Sequence, residues 1–181
     1  METRYKILSI DEMPVISGVA TPGAFYTMLQ QPAPLAGMCD PSRFSRLDQK
    51  MQELAKLGFN HIICLNNEHP SYPVGSLNRL GSVNIEDLIH GGNPADAEGD
   101  RQKILEMADL AVDRLNKGEG VVVHCFGGTG RTGTVLGAVM IRLGFDPEEV
   151  IGQLDAINKV RGRAGWPESP WQAELLRSLK A

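Results

Sequence analysis

The sequence predicts an α/β fold, with a mainly parallel central sheet flanked by helices. Short apolar runs typical of buried strands alternate with longer segments in which apolar residues recur at helical spacing. One such run, Val121–Val123, leads through a glycine-rich loop directly into an apolar helix. Alternating strands and helices favour parallel pairing, and such folds bind ligands beyond the carboxyl end of a central strand.

The first part of the chain carries weaker signals. Tyr5–Ile10 has the composition of a short strand, and residues 11–38 are broken by prolines and have few periodic apolar residues. We therefore expect residues 1–38 to form an N-terminal wrap rather than an independent domain. Asp40-Pro41 then supplies an N-cap and a proline at the first helical position, which predicts a helix that continues to Gly58.

The later elements follow from apolar spacing and from cap residues. From Asp96 to Asn116 the apolar residues form one helical face, and a second Asp-cap with a following proline occurs at Asp146-Pro147. Ser169-Pro170 begins the last helix, with Gln172 in the position of a capping box. The remaining predicted elements are strands at His61–Leu65, Val83–Ile85 and 120–124 and a helix at Val135–Leu143.

The composition favours one domain and excludes several classes of partner. The 181 residues are 42% hydrophobic, enough for a single sizeable core within a domain spanning 1–181. A net charge of −4 argues against a nucleic-acid or anionic-membrane surface, since those surfaces need clustered Lys and Arg. Three cysteines do not make a disulfide framework, and the N-terminal segment lacks the apolar core of a signal peptide. We therefore expect a cytoplasmic protein with no nucleic-acid or membrane partner.

The segment from Val121 to Thr134 combines a buried strand, a nucleophile and an anion-binding loop. Glycines at 127, 128 and 130 allow several backbone N–H groups to point at one anion. The helix that follows directs its N-terminus, with its unpaired N–H groups, at the same point. These donors should favour the thiolate form of Cys125, which is the reactive form of a thiol. The segment therefore predicts a phosphate site that contains a nucleophile.

Arg131 and Thr132 complete this predicted site. The guanidinium of Arg131 can hold two phosphate oxygens at once, which a Lys ammonium cannot do. Thr132 can donate its hydroxyl to the sulfur when the sulfur leaves. The alternative is a strand–turn–helix corner in which Cys125 is a buried apolar residue, and it does not account for Cys, Gly, Arg and Thr in this combination.

The order His124-Cys125, five residues, then Arg131-Thr132 resembles the signature of the cysteine-dependent protein tyrosine and dual-specificity phosphatases. The loop is similar to that of the cyclin-dependent-kinase-associated phosphatase subgroup. Roughly residues 34–176 resemble this subgroup in order, at Leu35–Cys39, Leu57–Phe59, His61–Cys64, Asn84–Asp87 and Gly91–Asp96. The resemblance implies a dual-specificity phosphatase-like fold with the phosphate-binding loop between a central strand and a helix.

Such a phosphatase also needs an acid that protonates the leaving oxygen and then activates water. We favour Asp87, because Ile85-Glu86-Asp87 enters a Gly- and Pro-rich segment that resembles the family's mobile acid loop. Asp96 fits the family's spacing to the cysteine better, but it also has the place of an N-cap for the following helix. Glu86 is a weaker candidate.

The other polar residues near the motif have supporting or structural roles in this prediction. Six loop residues are expected to bind the substrate phosphate, namely Phe126, Gly127, Gly128, Thr129, Gly130 and Arg131. His124 precedes the nucleophile on a strand, so its side chain should point to the opposite face and fix the loop by hydrogen bonding. Arg161 and Arg163 are either a second anion contact or solvated charges at a helix end. No metal or other cofactor is expected, since no metal-site spacing is shared by His61, His69 and His90.

Together these residues predict a metal-independent phosphomonoesterase that works through a phosphocysteine. By resemblance, its substrate is a phosphoprotein carrying phosphotyrosine, phosphoserine or phosphothreonine, and a protein kinase is a candidate partner. A second hypothesis is a non-protein substrate such as a phosphoinositide, nucleotide or sugar phosphate. The loop has no Lys or Arg between Cys125 and Arg131, which argues against inositol polyphosphates. A third hypothesis is a phosphoprotein-binding module without turnover.

Cys64 suggests a redox switch. It lies near the end of a predicted strand and Cys125 lies just past the end of another, so both could emerge at one edge of a parallel sheet. The related subgroup has a cysteine in the matching strand. We hypothesise that mild peroxide inactivates the protein reversibly through a Cys64–Cys125 disulfide. The alternative is that Cys64 is simply a buried core residue.

Overall fold

A five-stranded sheet organises the computed structural model, which describes residues 5–180. In chain order the strands are β1 (Phe25–Leu29), β2 (Leu35–Met38), β3 (Phe59–Cys64), β4 (Asn78–Ser82) and β5 (Gly120–His124). Their order across the sheet is β1-β2-β5-β3-β4. Only β1 pairs antiparallel with its neighbour, and the other pairings are parallel. The predicted fold class is confirmed, and β5, which leads into the glycine-rich loop, is the central strand.

Helices cover both faces of the sheet. They are α1 (Leu47–Lys56), α2 (Ala97–Asn116), α3 (Gly130–Arg142), α4 (Pro147–Val160) and α5 (Pro170–Ser178), with short 3₁₀ helices at Ile10–Glu12 and Pro41–Arg43. Successive residues of β5 face opposite sides. Val121 and Val123 pack in the apolar cluster beneath α2, α3, α4 and α5, and Val122 packs in the cluster beneath α1. Within residues 5–180, no helix has the length and apolar character needed to cross a membrane.

The predicted helix ends are mostly confirmed. Asp96 caps α2 by accepting a hydrogen bond from the Gly99 N–H at 2.9 Å. In the same way, Asp146 caps α4 by accepting a hydrogen bond from the Glu148 N–H at 2.9 Å. Ser169 and Gln172 form the predicted capping box of α5. Gly58 follows the end of α1 with a φ of +95°, a conformation that favours glycine.

The N-terminal segment differs from the predicted wrap because it contributes β1 and β2 to the sheet. All five residues of β1 are buried, so the strand lacks the alternation that would have identified it. Gly37 in β2 makes room for a neighbouring strand, since a Cβ there would lie 2.6 Å from the ring of Tyr26. The strand predicted at Tyr5–Ile10 is reduced to one bridge between Lys6 and Gln31, and residues 1–4 lie outside the described part.

Two further predicted elements were wrong. The helix predicted from Asp40 stops after one 3₁₀ turn, and the chain turns at Arg46, which has a φ of +52°, before α1 begins at Leu47. The Asp-Pro pair therefore caps a single turn only. The strand predicted at Val83–Ile85 lies instead at β4, an edge strand that is polar and partly exposed. An edge strand needs no apolar alternation, so its sequence carried no signal.

Candidate active site

The loop between β5 and α3 closes around the thiol of Cys125. Its sulfur accepts a hydrogen bond from the Gly128 N–H at 3.3 Å, and the residue is only 2% exposed. Gly128 has a φ of +77°, and a Cβ there would lie 2.7 Å from the carbonyl of Met38. Glycine is thus required both for the backbone conformation and for space. Helix α3 begins at Gly130, so its N-terminus adjoins the same loop.

The carbonyl groups of the loop are held from outside, which determines where its N–H groups point. The Cys125 carbonyl accepts from Nδ1 of His124 at 2.9 Å, and the Phe126 carbonyl accepts from the Asp40 N–H at 3.0 Å. The next two carbonyls accept from Arg161, at 2.9 and 3.0 Å. In a planar trans peptide the N–H points away from the C=O. The N–H groups of residues 126–129 are therefore directed into the loop, where a phosphate would bind.

Arg161 is the main residue whose role the sequence did not predict. It is buried, and its guanidinium donates to backbone carbonyls, to Thr129 Oγ1 at 3.1 Å and to Asn158 Oδ1 at 2.6 Å. It lies over the ring of Tyr26, 4.5 Å from the centroid, and the Tyr26 hydroxyl donates to the Gly128 carbonyl at 2.7 Å. Arg161 is neither an open anion contact nor a solvated charge, because its donors are taken up by the protein. No sequence pattern distinguishes it from exposed Arg163.

The structure brings Asp87 to Arg131. Nη2 of Arg131 lies 3.1 Å from Oδ2 of Asp87, and Nη1 donates to the Ile85 carbonyl at 3.4 Å. The side chain of Arg131 is 10% exposed and that of Asp87 is 47% exposed. The two predicted catalytic residues thus meet at the mouth of the loop, with the carboxylate on the solvent side.

The two alternative acids are held in structural contacts. Asp96 is the N-cap of α2, as its second interpretation predicted. Glu86 accepts a hydrogen bond from the Ala95 N–H at 2.6 Å, and its own N–H donates to Asp100. Both residues therefore shape the segment that carries Asp87.

His124 and Thr132 have different surroundings. The Nδ1 atom of His124 must carry the proton, because a carbonyl can only accept, so Nε2 accepts from the Tyr72 hydroxyl. Burial lowers the pKa of His124, which keeps the ring neutral. Among residues 5–180, the buried hydroxyl of Thr132 has no hydrogen-bond partner. A hydroxyl with no competing partner is free to donate to the sulfur.

The rim of the loop is partly apolar. Phe126 is 57% exposed, with the guanidinium of Arg43 4.8 Å from the centre of its ring. Ile89 is 60% exposed and borders a cleft of about 370 Å³ beside the loop.

The side chain of Gln172 is engaged in the capping box, where it accepts from the Glu168 and Ser169 N–H groups.

Cys64 and Cys125 lie toward different faces of the sheet. Cys64 is the register partner of His124, and paired residues of parallel strands point to the same side. Its thiol donates to Asn66 Oδ1 at 3.2 Å, and burial raises its pKa. Cys125 instead belongs to the apolar cluster beneath α2 to α5. Both cysteines are free and buried, and the regulatory disulfide between them stays a prediction.

Solved structures of phosphatases have the same fold. DUSP15 superimposes with a TM-score of 0.57 and 20% identity over 80% of this chain and 81% of that one. Kinase-associated phosphatase with its catalytic cysteine substituted by serine superimposes with a TM-score of 0.55 and 18% identity, over 81% of this chain and 85% of that one. PTPMT1 in complex with PI(5)P superimposes with a TM-score of 0.54 and 19% identity, over 80% of this chain and 88% of that one. At these identities the likeness concerns the fold.

The family follows from a match along most of the chain. Residues 30–164 match the model described as the Swiss Army Knife protein, DSP-PTPase phosphatase domain. The match begins just after β1 and spans the four strands β2 to β5, the loop at Cys125 and helices α1 to α4. The chain therefore belongs to the dual-specificity, protein tyrosine phosphatase superfamily and is a phosphatase of that type.

Proposed function

We propose that the protein hydrolyses phosphomonoesters on phosphoproteins through a phosphocysteine at Cys125. The observation that carries this proposal is the loop at Cys125, where the Gly128 N–H donates to the sulfur at 3.3 Å and the carbonyls held from outside direct the neighbouring N–H groups inward. Those donors match the equatorial oxygens of a phosphoryl group. They would stabilise both the thiolate and the transition state of in-line attack.

The first step uses Arg131 and Asp87 in succession. Without substrate, the guanidinium contacts the Asp87 carboxylate and the Ile85 carbonyl. A bound phosphate supplies two oxygens to the guanidinium and replaces this contact. Asp87 is then free to donate a proton to the leaving oxygen as the bond between that oxygen and phosphorus breaks. Thr132 donates to the sulfur when water later displaces it, and His124 keeps the loop in place.

The rim supports a protein substrate. Exposed Phe126 belongs to the loop, and exposed Ile89 borders the cleft beside it, so both offer apolar contacts to the side chain that carries the phosphate and to its neighbours. No Lys or Arg lies between Cys125 and Arg131 to meet extra phosphates of an inositol ring. The likeness to kinase-associated phosphatase makes a protein kinase a candidate partner, and we expect the protein to act in the cytoplasm. The complex of PTPMT1 with PI(5)P makes a phosphoinositide the second candidate substrate.

Two experiments test the proposal. Acid quenching during turnover of an aryl phosphate should trap phosphate on the Cys125 peptide. Cys125→Ser should abolish turnover while inorganic vanadate still binds, because the donors are backbone N–H groups and Arg131. Substantial hydrolysis by this variant would rule out the thiolate mechanism. Parallel rates on phosphopeptides, phosphoinositides and nucleotides then decide the substrate class, and a preference for PI(5)P over every phosphopeptide would overturn the protein-substrate proposal.

A further inference from the structure

Glu168 places a second carboxylate at the mouth of the phosphate loop. It lies in the segment between α4 and α5, and a Cβ built on Gly130 would lie 2.0 Å from its Oε2 atom. The carboxylate therefore rests directly against the first residue of α3. Among residues 5–180, no hydrogen-bond donor or ion-pair partner contacts the Glu168 carboxylate. The backbone N–H of Glu168 donates to Gln172 Oε1 at 2.9 Å.

The charges around Glu168 come from the catalytic residues and from the cleft beside it. Burial raises its pKa, and the negative charge of Asp87 acts in the same direction. Arg131 and Arg163 act in the opposite direction. Asp155 of α4 lines the same cleft, but it is paired with Lys159 at 2.6 Å. The charges of Asp87 and Arg131 thus both act on the Glu168 carboxyl group.

No structural role accounts for this carboxylate. Ser169 and Gln172 cap α5 without it, and an unpaired negative charge beside an anion site disfavours the anion. We propose that Glu168 is the base that activates water for hydrolysis of the phosphocysteine, while Asp87 acts as the acid in the first step. This inference rests on the proposed function. It assigns protonation of the leaving oxygen to one carboxyl group and activation of water to another, where a single acid would otherwise perform both in turn.

The second step is the hydrolysis of the phosphocysteine. Once the first product has left, a water molecule occupies its place near the mouth of the loop. The water oxygen bonds to phosphorus, and the phosphorus–sulfur bond breaks with its electron pair going to Cys125. The proton of the water passes to the Glu168 carboxylate, and inorganic phosphate leaves. Glu168 then releases the proton to solvent.

Rapid acid-quench kinetics separate the two steps. In Glu168→Gln, phosphorylation of Cys125 should keep its rate, while breakdown of the phosphoenzyme slows by about 100-fold, the lower end of general-base contributions. The phosphoenzyme should then accumulate. Glu174→Gln, an exposed change on helix α5, which follows Glu168, is the control and should behave as the unchanged protein. The rate of breakdown should fall toward acid pH as Glu168 gains a proton, and this limb should be missing in Glu168→Gln.

Other outcomes are equally decisive. Unchanged breakdown in Glu168→Gln removes Glu168 from the step, and equal slowing of both steps assigns it to the loop rather than to water. Glu168→Asp keeps a carboxyl group, so it should retain part of the rate and the acid limb; loss of both would overturn the proposal. If neither the unchanged protein nor the variants form a phosphoenzyme, the proposed function fails and this inference with it. If Glu168→Gln forms a phosphoenzyme that breaks down at the normal rate, only the role of Glu168 is refuted.

Discussion

Arg161→Met should destabilise the protein far more than the same change two residues away. The substitution keeps an unbranched apolar stem but removes the donors that hold the loop carbonyls of residues 127 and 128 and the Thr129 hydroxyl. It also leaves the carbonyls of Pro22 and Gly23 without their contact to Nε. Arg163, by contrast, is exposed and has one long contact, 3.5 Å to the Gly127 carbonyl. Arg163→Met is therefore the matched control.

The magnitude follows from which acceptors keep a partner. The Gly128 carbonyl retains the Tyr26 hydroxyl, so its loss is partial, whereas the carbonyls of Pro22 and Gly23 lose the guanidinium. Hydrogen bonds to a charged group contribute about 1.5–3 kcal/mol each, and the cost of burying the guanidinium offsets part of the sum. We expect a net loss of roughly 3–4 kcal/mol, on the order of what breaking a buried charged network costs. In a domain of this size that lowers Tm by roughly 6–16 °C.

Thermal and urea unfolding of the two variants, followed by circular dichroism, tests this estimate. Arg163→Met should stay within about 0.5 kcal/mol of the unchanged protein, as exposed substitutions usually do. Turnover of an aryl phosphate, measured well below the melting temperature, should also fall in Arg161→Met, because the N–H groups of the loop are no longer held inward. Equal unfolding free energies for the two variants would refute the argument that Arg161 supports the loop.

Three further predictions concern the acid, the histidine and the second thiol. Asp87→Asn should slow turnover of alkyl phosphates far more than that of activated aryl phosphates, because only a poor leaving group needs the proton; Asp96→Asn should lack this pattern, since Asn caps α2 as well as Asp does. Between about pH 6.5 and the lowered pKa of His124, the unfolded chain binds a proton that the folded chain excludes. The free energy of unfolding should therefore decrease as the pH is lowered through this window, and the decrease, followed by urea midpoints, should be weaker in His124→Gln. After peroxide and then a thiol reductant, Cys64→Ser should recover activity like the unchanged protein if Cys64 is only a buried core residue; a peptide linking residues 64 and 125 would instead establish the proposed disulfide.

The central part of the site was predictable because its chemistry is local in sequence. Cys125, the proposed nucleophile, lies with the glycines and Arg131 within one strand–loop–helix unit, whose order fixes their arrangement. The N-cap residues Asp96 and Ser169 were identified for the same reason, since a cap acts on N–H groups two or three residues away. Periodicity likewise identified the long helix α2, because an amphipathic pattern extends over its whole length.

The remaining features depend on contacts between distant segments, which periodicity does not encode. Strand β1 is buried on both sides, so it has no alternating pattern, and β4 is an edge strand of polar residues. Arg161 and Arg163 have the same side chain and nearly the same position. They differ in their contacts with distant segments, since Arg161 lies over a tyrosine more than a hundred residues earlier in the chain and Arg163 is exposed. Glu168 was overlooked because its neighbour Gly130, the first residue of α3, lies far from it in the sequence.

The loop is supported from both faces of the sheet, which gives the N-terminal segment a direct part in the site. On the α1 face, His124 holds the first loop carbonyl and is itself fixed by Tyr72. On the opposite face, Tyr26 of β1 contacts Arg161 and the Gly128 carbonyl. Each carbonyl held from outside turns the next N–H inward, so the two supports set the direction of the phosphate donors. Residues 25–38 are therefore part of the machinery that shapes the anion site, and a fragment that begins after β1 would retain every residue of the signature while losing one of the two supports that orient it.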